Sequence, residues 1–330
     1  MRRNSSPAIV AANITKRFRE IIAVNEISFQ VNEGELFGFL GPNGAGKTTT
    51  INMLTGLAKP DKGRIIISGI DCTHNPKAAQ HLTGIVPDES NLYPELTGLE
   101  NLSFCAALYG IPKREREQRA QELLKAFGLD DAANRKFAVY SKGMKRKLTF
   151  AAGIIHQPPI LFLDEPTTGI DVASARQVRQ IIADLHDKGT TIFLTTHYIE
   201  EAERLCERIA FIVKGKIVRT ERTTDLLQPV RGKHMITLTI SNPAEGLING
   251  MATAFLQYKL QTAASNQINI ESMEPVDIGP LVRYLEDRNI KVTEARKHVP
   301  SLEDVFVQVT GVQAELMSKE KEKAGGGGNQ

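Results

Sequence analysis

The residues Gly41-Pro42-Asn43-Gly44-Ala45-Gly46-Lys47-Thr48 match the pattern GxxxxGK[ST]. Glycines at these positions let a backbone curl so that successive N–H groups converge on phosphate oxygens. A helix starting at the end of the loop points its positive pole at the same place. Lys47 supplies a point charge for the β- and γ-phosphates, and the Thr48 hydroxyl, followed by Thr49, is a hard oxygen suited to Mg²⁺. The pattern follows the apolar run ELFGFL and precedes a helix-compatible stretch. A glycine-rich turn without a ligand is the plainer alternative, but this strand–loop–helix setting is the one the phosphate chemistry requires. The loop reads as a nucleoside triphosphate site.

A second pair of residues lies 117 positions beyond Lys47, where Ile160-Leu161-Phe162-Leu163 ends in Asp164-Glu165. A strand buried on both faces has room for acids only at its end, and in open α/β sheets the carboxyl ends of strands are where ligands bind. Asp164 is placed to hold Mg²⁺ through water. Glu165, one residue on, is placed to orient and polarise an attacking water. A pair of acids before Pro166 is also ordinary turn chemistry. The phosphate loop upstream favours the catalytic reading.

Elements that could position these groups alternate along residues 8–222. Strands are expected at Ile27–Val31 and Glu35–Leu40, broken by the turn Asn32-Glu33-Gly34, and at Arg64–Ser68, Thr83–Val86, Ile160–Leu163 and Thr190–Leu194. Helical patterns lie at 98–109, 113–127, 142–156, 172–187 and 198–206, and Arg208–Glu221 reads as a hairpin turned at Lys214-Gly215. This alternation predicts an α/β domain over residues 1–228, with a helical part at about 88–157. Pro229 interrupts the pattern. Strands at 234–241, 267–273 and 290–295 with helices at 243–257, 278–288 and 301–310 then predict a small α+β domain over 229–313. The tail, 314–330, is charged and glycine-rich and is expected to be disordered.

Past this point the residues resemble the ATP-binding cassette (ABC) family. Tyr140-Ser141-Lys142-Gly143-Met144 stands where ABC proteins carry their LSGGQ-type signature, 19 residues before the Ile160 strand. Asp171, in TTGID, resembles the D-loop aspartate. Thr196-His197, after TTIFL, resembles the switch-histidine loop, and Phe18 occupies the place of the aromatic that stacks on adenine. The resemblance covers residues 8 to about 222. It implies a P-loop ABC ATPase domain built on a mixed, largely parallel sheet, with a helical subdomain and an antiparallel β portion.

It also implies a homodimer, or a paired ATPase, with ATP and Mg²⁺ at the interface. Ser141 and Gly143 would meet the γ-phosphate held by the opposing subunit, and His197 would hold the γ-phosphate and, with Glu165, the water. Ser141 on its own reads better as a helix N-cap, and Lys142, Lys145, Arg146 and Lys147 read as a basic, solvated helix face.

Two departures from the common pattern bear on function. Lys142 replaces a signature glycine, and Asp88, followed by Glu89, stands in Gly84-Ile85-Val86-Pro87-Asp88 where the family usually has the Q-loop glutamine. An acid there would bind Mg²⁺ more tightly but repel the γ-phosphate, so Asp88 is a candidate metal ligand alongside Thr48 and Asp164. Both variants, and the later run Pro300-Ser301-Leu302-Glu303-Asp304-Val305-Phe306, resemble the ATPases of ABC-2 type exporters of drugs, lipids or polysaccharides. The segment NLYPELTGLENL lies where the family contacts its membrane subunit. The resemblance thus implies an ATPase at the cytoplasmic face of the cell membrane, peripheral, powering export through a separate membrane-spanning permease.

Composition limits the alternatives. The 330 residues are 41% apolar and 24% charged, and 41 basic against 38 acidic residues leave +3. That balance is too even to argue for a polyanion partner across the whole surface, and no nucleic acid is expected. No apolar run approaches the roughly 18 residues of a spanning helix, the N-terminus is too short in apolar residues for a signal peptide, and three scattered cysteines make neither a disulfide framework nor a zinc site. A soluble ABC ATPase acting on the ribosome or DNA is the alternative. Chromosome-type members insert coiled coils between loop and signature, whereas only 94 positions separate Lys47 from Ser141 here; translation-type members usually carry two cassettes. A kinase or GTPase would leave the signature unexplained.

Overall fold

The computed structural model describes residues 7–227, 234–241, 246–264, 266–298 and 302–311. The Pro229 boundary, Pro300-Ser301 and the tail 314–330 lie outside the described residues. In chain order the first half runs β1 (Pro7–Phe18), β2 (Ile21–Asn32), β3 (Leu36–Leu40), α1 (Lys47–Leu54), β4 (Lys62–Ile67), β5 (Ile70–Asp71), α2 (Pro76–Gln80), β6 (Thr83–Val86), α3 (Gly98–Leu108) and α4 (Lys113–Ala126). It continues α5 (Lys142–Ile154), β7 (Ile160–Asp164), α6 (Val172–Asp187), β8 (Thr191–Thr196), α7 (Ile199–Leu205), β9 (Arg208–Val213), β10 (Lys216–Arg222) and α8 (Thr223–Leu227). The remainder is β11 (His234–Ile240), α9 (Leu247–Ala254), β12 (Lys259–Ala264), β13 (Gln267–Ser272), α10 (Ile278–Glu286), β14 (Val292–His298) and α11 (Leu302–Thr310).

These elements divide into two compact units, which meet in sequence at Thr223 and Thr224. In the first, a six-stranded sheet of order β10-β9-β3-β8-β7-β6 is parallel except for β10, and a four-stranded antiparallel sheet has the order β2-β1-β4-β5. This is the mixed, largely parallel architecture with an antiparallel portion that the family resemblance implies. Every residue of β3, β7 and β8 is buried, which explains their unbroken apolar runs. Phe29 of β2 packs on Phe37 and Phe193 of the larger sheet, with ring centroids 5.8 and 5.7 Å apart, so aromatic contacts join the two sheets. Helix α1 touches strands of both and is thereby fixed at both flanks. α3, α4 and α5 pack on one another, within the stretch expected to be helical.

β1 and most of β2 were not expected. Their ladder shifts register between Ala11 and Ile14 and again between Ile14 and Lys16, and Asn13 and Glu26 have positive φ. Such bulges break the period-2 alternation that announces a strand. The Lys214-Gly215 turn is as expected, both residues having positive φ.

The second unit, Thr224–Gln308, contains the order β12-β13-β11-β14 with every neighbour antiparallel. The βαββαβ sequence in this order is the split βαβ, ferredoxin-like arrangement. Ile236, Leu238, Ile240, Ile268 and Ile270 pack from the sheet against Leu247, Met251, Leu281 and Leu285 of α9 and α10. The helix expected at 243–257 is shorter, and β12 was missed because KLQTAA offers little apolar alternation. Among the described residues no helix is long and apolar enough to cross a membrane.

A candidate nucleotide site at the ends of three parallel strands

The parallel register of the central strands decides which groups meet. Leu40 at the end of β3 pairs with Thr196 of β8, and Asp164 at the end of β7 pairs with Thr195. The loop 41–46, the two acids and His197 therefore leave the sheet side by side at its carboxyl edge, where α/β sheets bind ligands. The Gly41 N–H donates to Thr196 O at 3.3 Å, and the Glu165 N–H to Thr195 O at 3.1 Å. A Cβ on Gly41 would lie 2.2 Å from Ile212 O of β9, so the loop can leave β3 here only as glycine.

The loop is pinned at both ends. Ala45 N–H donates to Pro42 O at 3.1 Å, and Ala45 O accepts from Gly215 N–H of the β9–β10 turn at 2.9 Å. Asn43 and Gly44 are exposed at its crest, and Thr48 and Thr49 follow in the first turn of α1, Thr48 exposed. Lys47 is buried, its ammonium donating to Gly41 O at 2.8 Å and Pro42 O at 3.2 Å and lying 3.1 Å from Glu165 Oε1.

Glu165 is the centre of the arrangement. Its Oε2 lies 2.7 Å from His197 Nδ1 and accepts from Thr168 Oγ1 at 3.2 Å. Because the partner is a carboxylate, Nδ1 is the protonated ring nitrogen. Burial pushes the Glu165 carboxyl up, but the His197 hydrogen bond and the Lys47 charge outweigh it and hold the carboxyl below its ordinary value. It is therefore an anion at neutral pH, flanked by a cation and a ring N–H. Its backbone has φ 49°, a left-handed conformation that costs a non-glycine residue on the order of 1–3 kcal/mol and clusters at functional sites. The neighbouring Asp164 is buried and accepts a short bond from the Thr195 hydroxyl, which fixes its rotamer.

The segment after β6 closes another side. Asp88 is exposed at the mouth of this cleft. Partial desolvation and the Glu165 and Asp164 charges push its carboxyl above the ordinary value, against the pull of Arg146. Arg146 corrects the reading of a basic, solvated helix face: it is buried, and its guanidinium donates to backbone carbonyls of the β6 and β7 ends, including Pro166 O at 2.7 Å. The signal was present, since Gly143, Arg146, Phe150 and Gly153 share a buried face of α5. Thr195, Thr168 and the buried Thr167–Glu201 hydrogen bond of 2.7 Å were also missed; hydroxyls carry no spacing pattern.

Ser141 caps α5, accepting from Met144 N–H at 3.2 Å, and its hydroxyl faces an exposed surface. Asp171 caps α6 by accepting from Ser174 N–H at 2.9 Å and Ser174 Oγ at 2.7 Å. Gly143 has a reason within the chain: a Cβ there would stand 2.5 Å from Ser174 Oγ, so the two helix starts pack together only without a side chain. Phe18 lies at the tip of the β1–β2 hairpin, 51% exposed, with Lys16 Nζ 5.5 Å from its ring centroid. One ring face is thus occupied by a cation, and the ring remains half open for stacking.

Thr48, Asp164 and Asp88 offer hard oxygens, the donor set that suits Mg²⁺. No cluster of three or more His, Cys, Asp or Glu side chains that could hold a metal occurs among the described residues.

A family model for the ABC transporter matches residues 24–168. The linearmycin resistance ATP-binding protein of Bacillus subtilis is 36% identical over 91% of this chain and 97% of its own. The daunorubicin/doxorubicin resistance ATP-binding protein of Streptomyces peucetius is 36% identical over 96% and 97%, and the Nod factor export ATP-binding protein I of Rhizobium etli 33% over 93% and 95%. Among solved structures, a dimeric post-hydrolysis state of an ATP-binding cassette bound to ADP and Pi superposes with TM-score 0.61 at 29% identity, covering 65% of this chain and 98% of that one.

Proposed function

We propose that this chain, which belongs to the ABC transporter family as an exporter-type ATP-hydrolysing subunit, works in a pair of ATPase subunits that clamp ATP between them and drive export through a separate membrane-spanning permease. The observation that carries the reading is the buried set Lys47–Glu165–His197, assembled at the ends of β3, β7 and β8 beside the glycine loop. These groups suit hydrolysis. The loop N–H groups and Lys47 take up phosphate charge, the Glu165 carboxylate orients a water and accepts its proton, and His197 holds that carboxylate by its Nδ1–H. Thr48 and Asp164, with Asp88 at the mouth, would hold Mg²⁺, which supplies further neutralisation of phosphate charge when bound. The solvent-facing Ser141 hydroxyl and α5 N-terminus suit a phosphate presented by a second subunit, and the exposed Phe18 ring suits the adenine.

Several features support the partner. Dimeric cassettes occur among the similar structures. Tyr93 and Phe104 meet edge to face at 5.2 Å while remaining 49% and 40% exposed, and Leu108 is 67% exposed. Such an apolar patch beside the Asp88 segment suits a contact with a permease, which supports a working position at the cytoplasmic face of the membrane. Residues 1–228 form the nucleotide-binding domain in this reading, and 229–313 a separate α+β domain. The alternative on ribosome or DNA gains no support from the relatives, which include drug resistance and Nod factor export proteins.

Glu165→Gln tests the reading. The variant is expected to bind ATP, to double its mass by light scattering when ATP is added, and to release phosphate at least about 100-fold more slowly than the parent. Phosphate release near the parental rate would remove Glu165 from the chemistry.

A further inference from the structure

The guanidinium of Arg146 has every N–H engaged. Nε donates to Pro166 O at 2.7 Å. Nη1 donates to Pro87 O and, at 2.9 Å, to Asp88 O. Nη2 donates to Asp164 O and Glu165 O, both at 2.8 Å. All five acceptors are backbone carbonyls, drawn from the last residue of β7 and from the turns that follow β6 and β7, and the residue is only 6% exposed. An arginine so engaged has no donor left for phosphate or solvent.

What it holds is informative. One acceptor belongs to Glu165, whose φ of 49° is a conformation that persists only where the surroundings over-determine it. Two more flank that residue, and the other two belong to the segment carrying Asp88. Arg146 itself sits on α5, five positions after the Ser141 that caps the same helix. A rigid helix thus connects the Ser141–Gly143 segment at its start with the turn that aims the Glu165 carboxylate.

We infer that Arg146 is a positioning residue that couples the placement of the Ser141–Gly143 segment to the aim of Glu165. Engagement of that segment by a second subunit's nucleotide then sets the carboxylate for attack. The inference rests on the reading of Glu165 as the group that orients the water. Lysine cannot replace Arg146, because its three donors leave at least two of the five carbonyls without a partner.

The test compares the full-length parent, Arg146→Lys, Glu165→Gln and the double variant by ATP calorimetry, thermal melting and single-turnover phosphate release. Arg146→Lys is expected to bind ATP within about threefold of the parent and to lose about 10–100-fold in turnover. In the Glu165→Gln background the same change is expected to cost nothing further, because two residues acting through one group are not additive. Unchanged turnover in Arg146→Lys, or an equal further loss in the double variant, would overturn the coupling. If Glu165→Gln itself turned over normally, the reading of Glu165 would fall instead. Should Arg146→Lys not fold, Arg146→Gln is read the same way, and failure of both to fold would reduce Arg146 to a purely structural role.

Discussion

His156 stacks face to face on Tyr109, ring centroids 3.5 Å apart, and its Nε2–H donates to Thr83 O at 3.1 Å. Burial holds its pKa down at about 4, against an ordinary 6.5. The folded chain therefore refuses a proton that the unfolded chain accepts between these values, so stability is full above about 6.5 and declines as pH falls toward 4. Denaturant unfolding is expected to lose up to about 2 kcal/mol between pH 7 and 5 from this group, and His156→Gln to flatten that slope; an unchanged slope would assign the dependence to other groups. The meeting of Lys47, Asp164, Glu165 and His197 was legible, because each ends a buried strand, follows one directly or begins the helix after one. Arg146 was not, because it stands between two lysines and its role lies in carbonyls that no sequence pattern marks. Gly143 has a reason within the chain that the sequence did not announce: it makes room for Ser174.

The elements place the site through close approaches of backbone. β3 hands the chain to the phosphate loop at Gly41, against Ile212 O of β9. Backbone cannot step aside as a flexible side chain can. Gly41→Ala is therefore expected to shift the loop, lowering ATP affinity at least tenfold and stability by about 1–3 kcal/mol, read by calorimetry and melting. Unchanged affinity would mean that β9 does not fix the loop. The buried strands β7 and β8 were readable from their apolar runs, and the β9–β10 hairpin from its turn residues. β1 and β12 were not, the first because bulges break its alternation and the second because an edge strand has little to bury.

For the whole molecule, each unit has its own core, one around Phe29, Phe37 and Phe193 and the other around Leu238, Ile270 and Leu285. A chain ending at residue 228 is expected to melt cooperatively by circular dichroism and to keep its ATP affinity; loss of all helical signal would show that the nucleotide-binding unit depends on the rest. The exporter assignment was legible only through Lys142, Asp88 and the PSLEDVF run, since neither composition nor fold distinguishes export from import. In the proposed function, ATP hydrolysis at this site drives a membrane permease. Affinity capture of Glu165→Gln with ATP, from detergent-solubilised membranes and from cytosol separately, tests it most directly. One multi-spanning protein is expected from the membranes in roughly equal amount with this chain. Ribosomal proteins or nucleic acid, with no membrane protein, would contradict it.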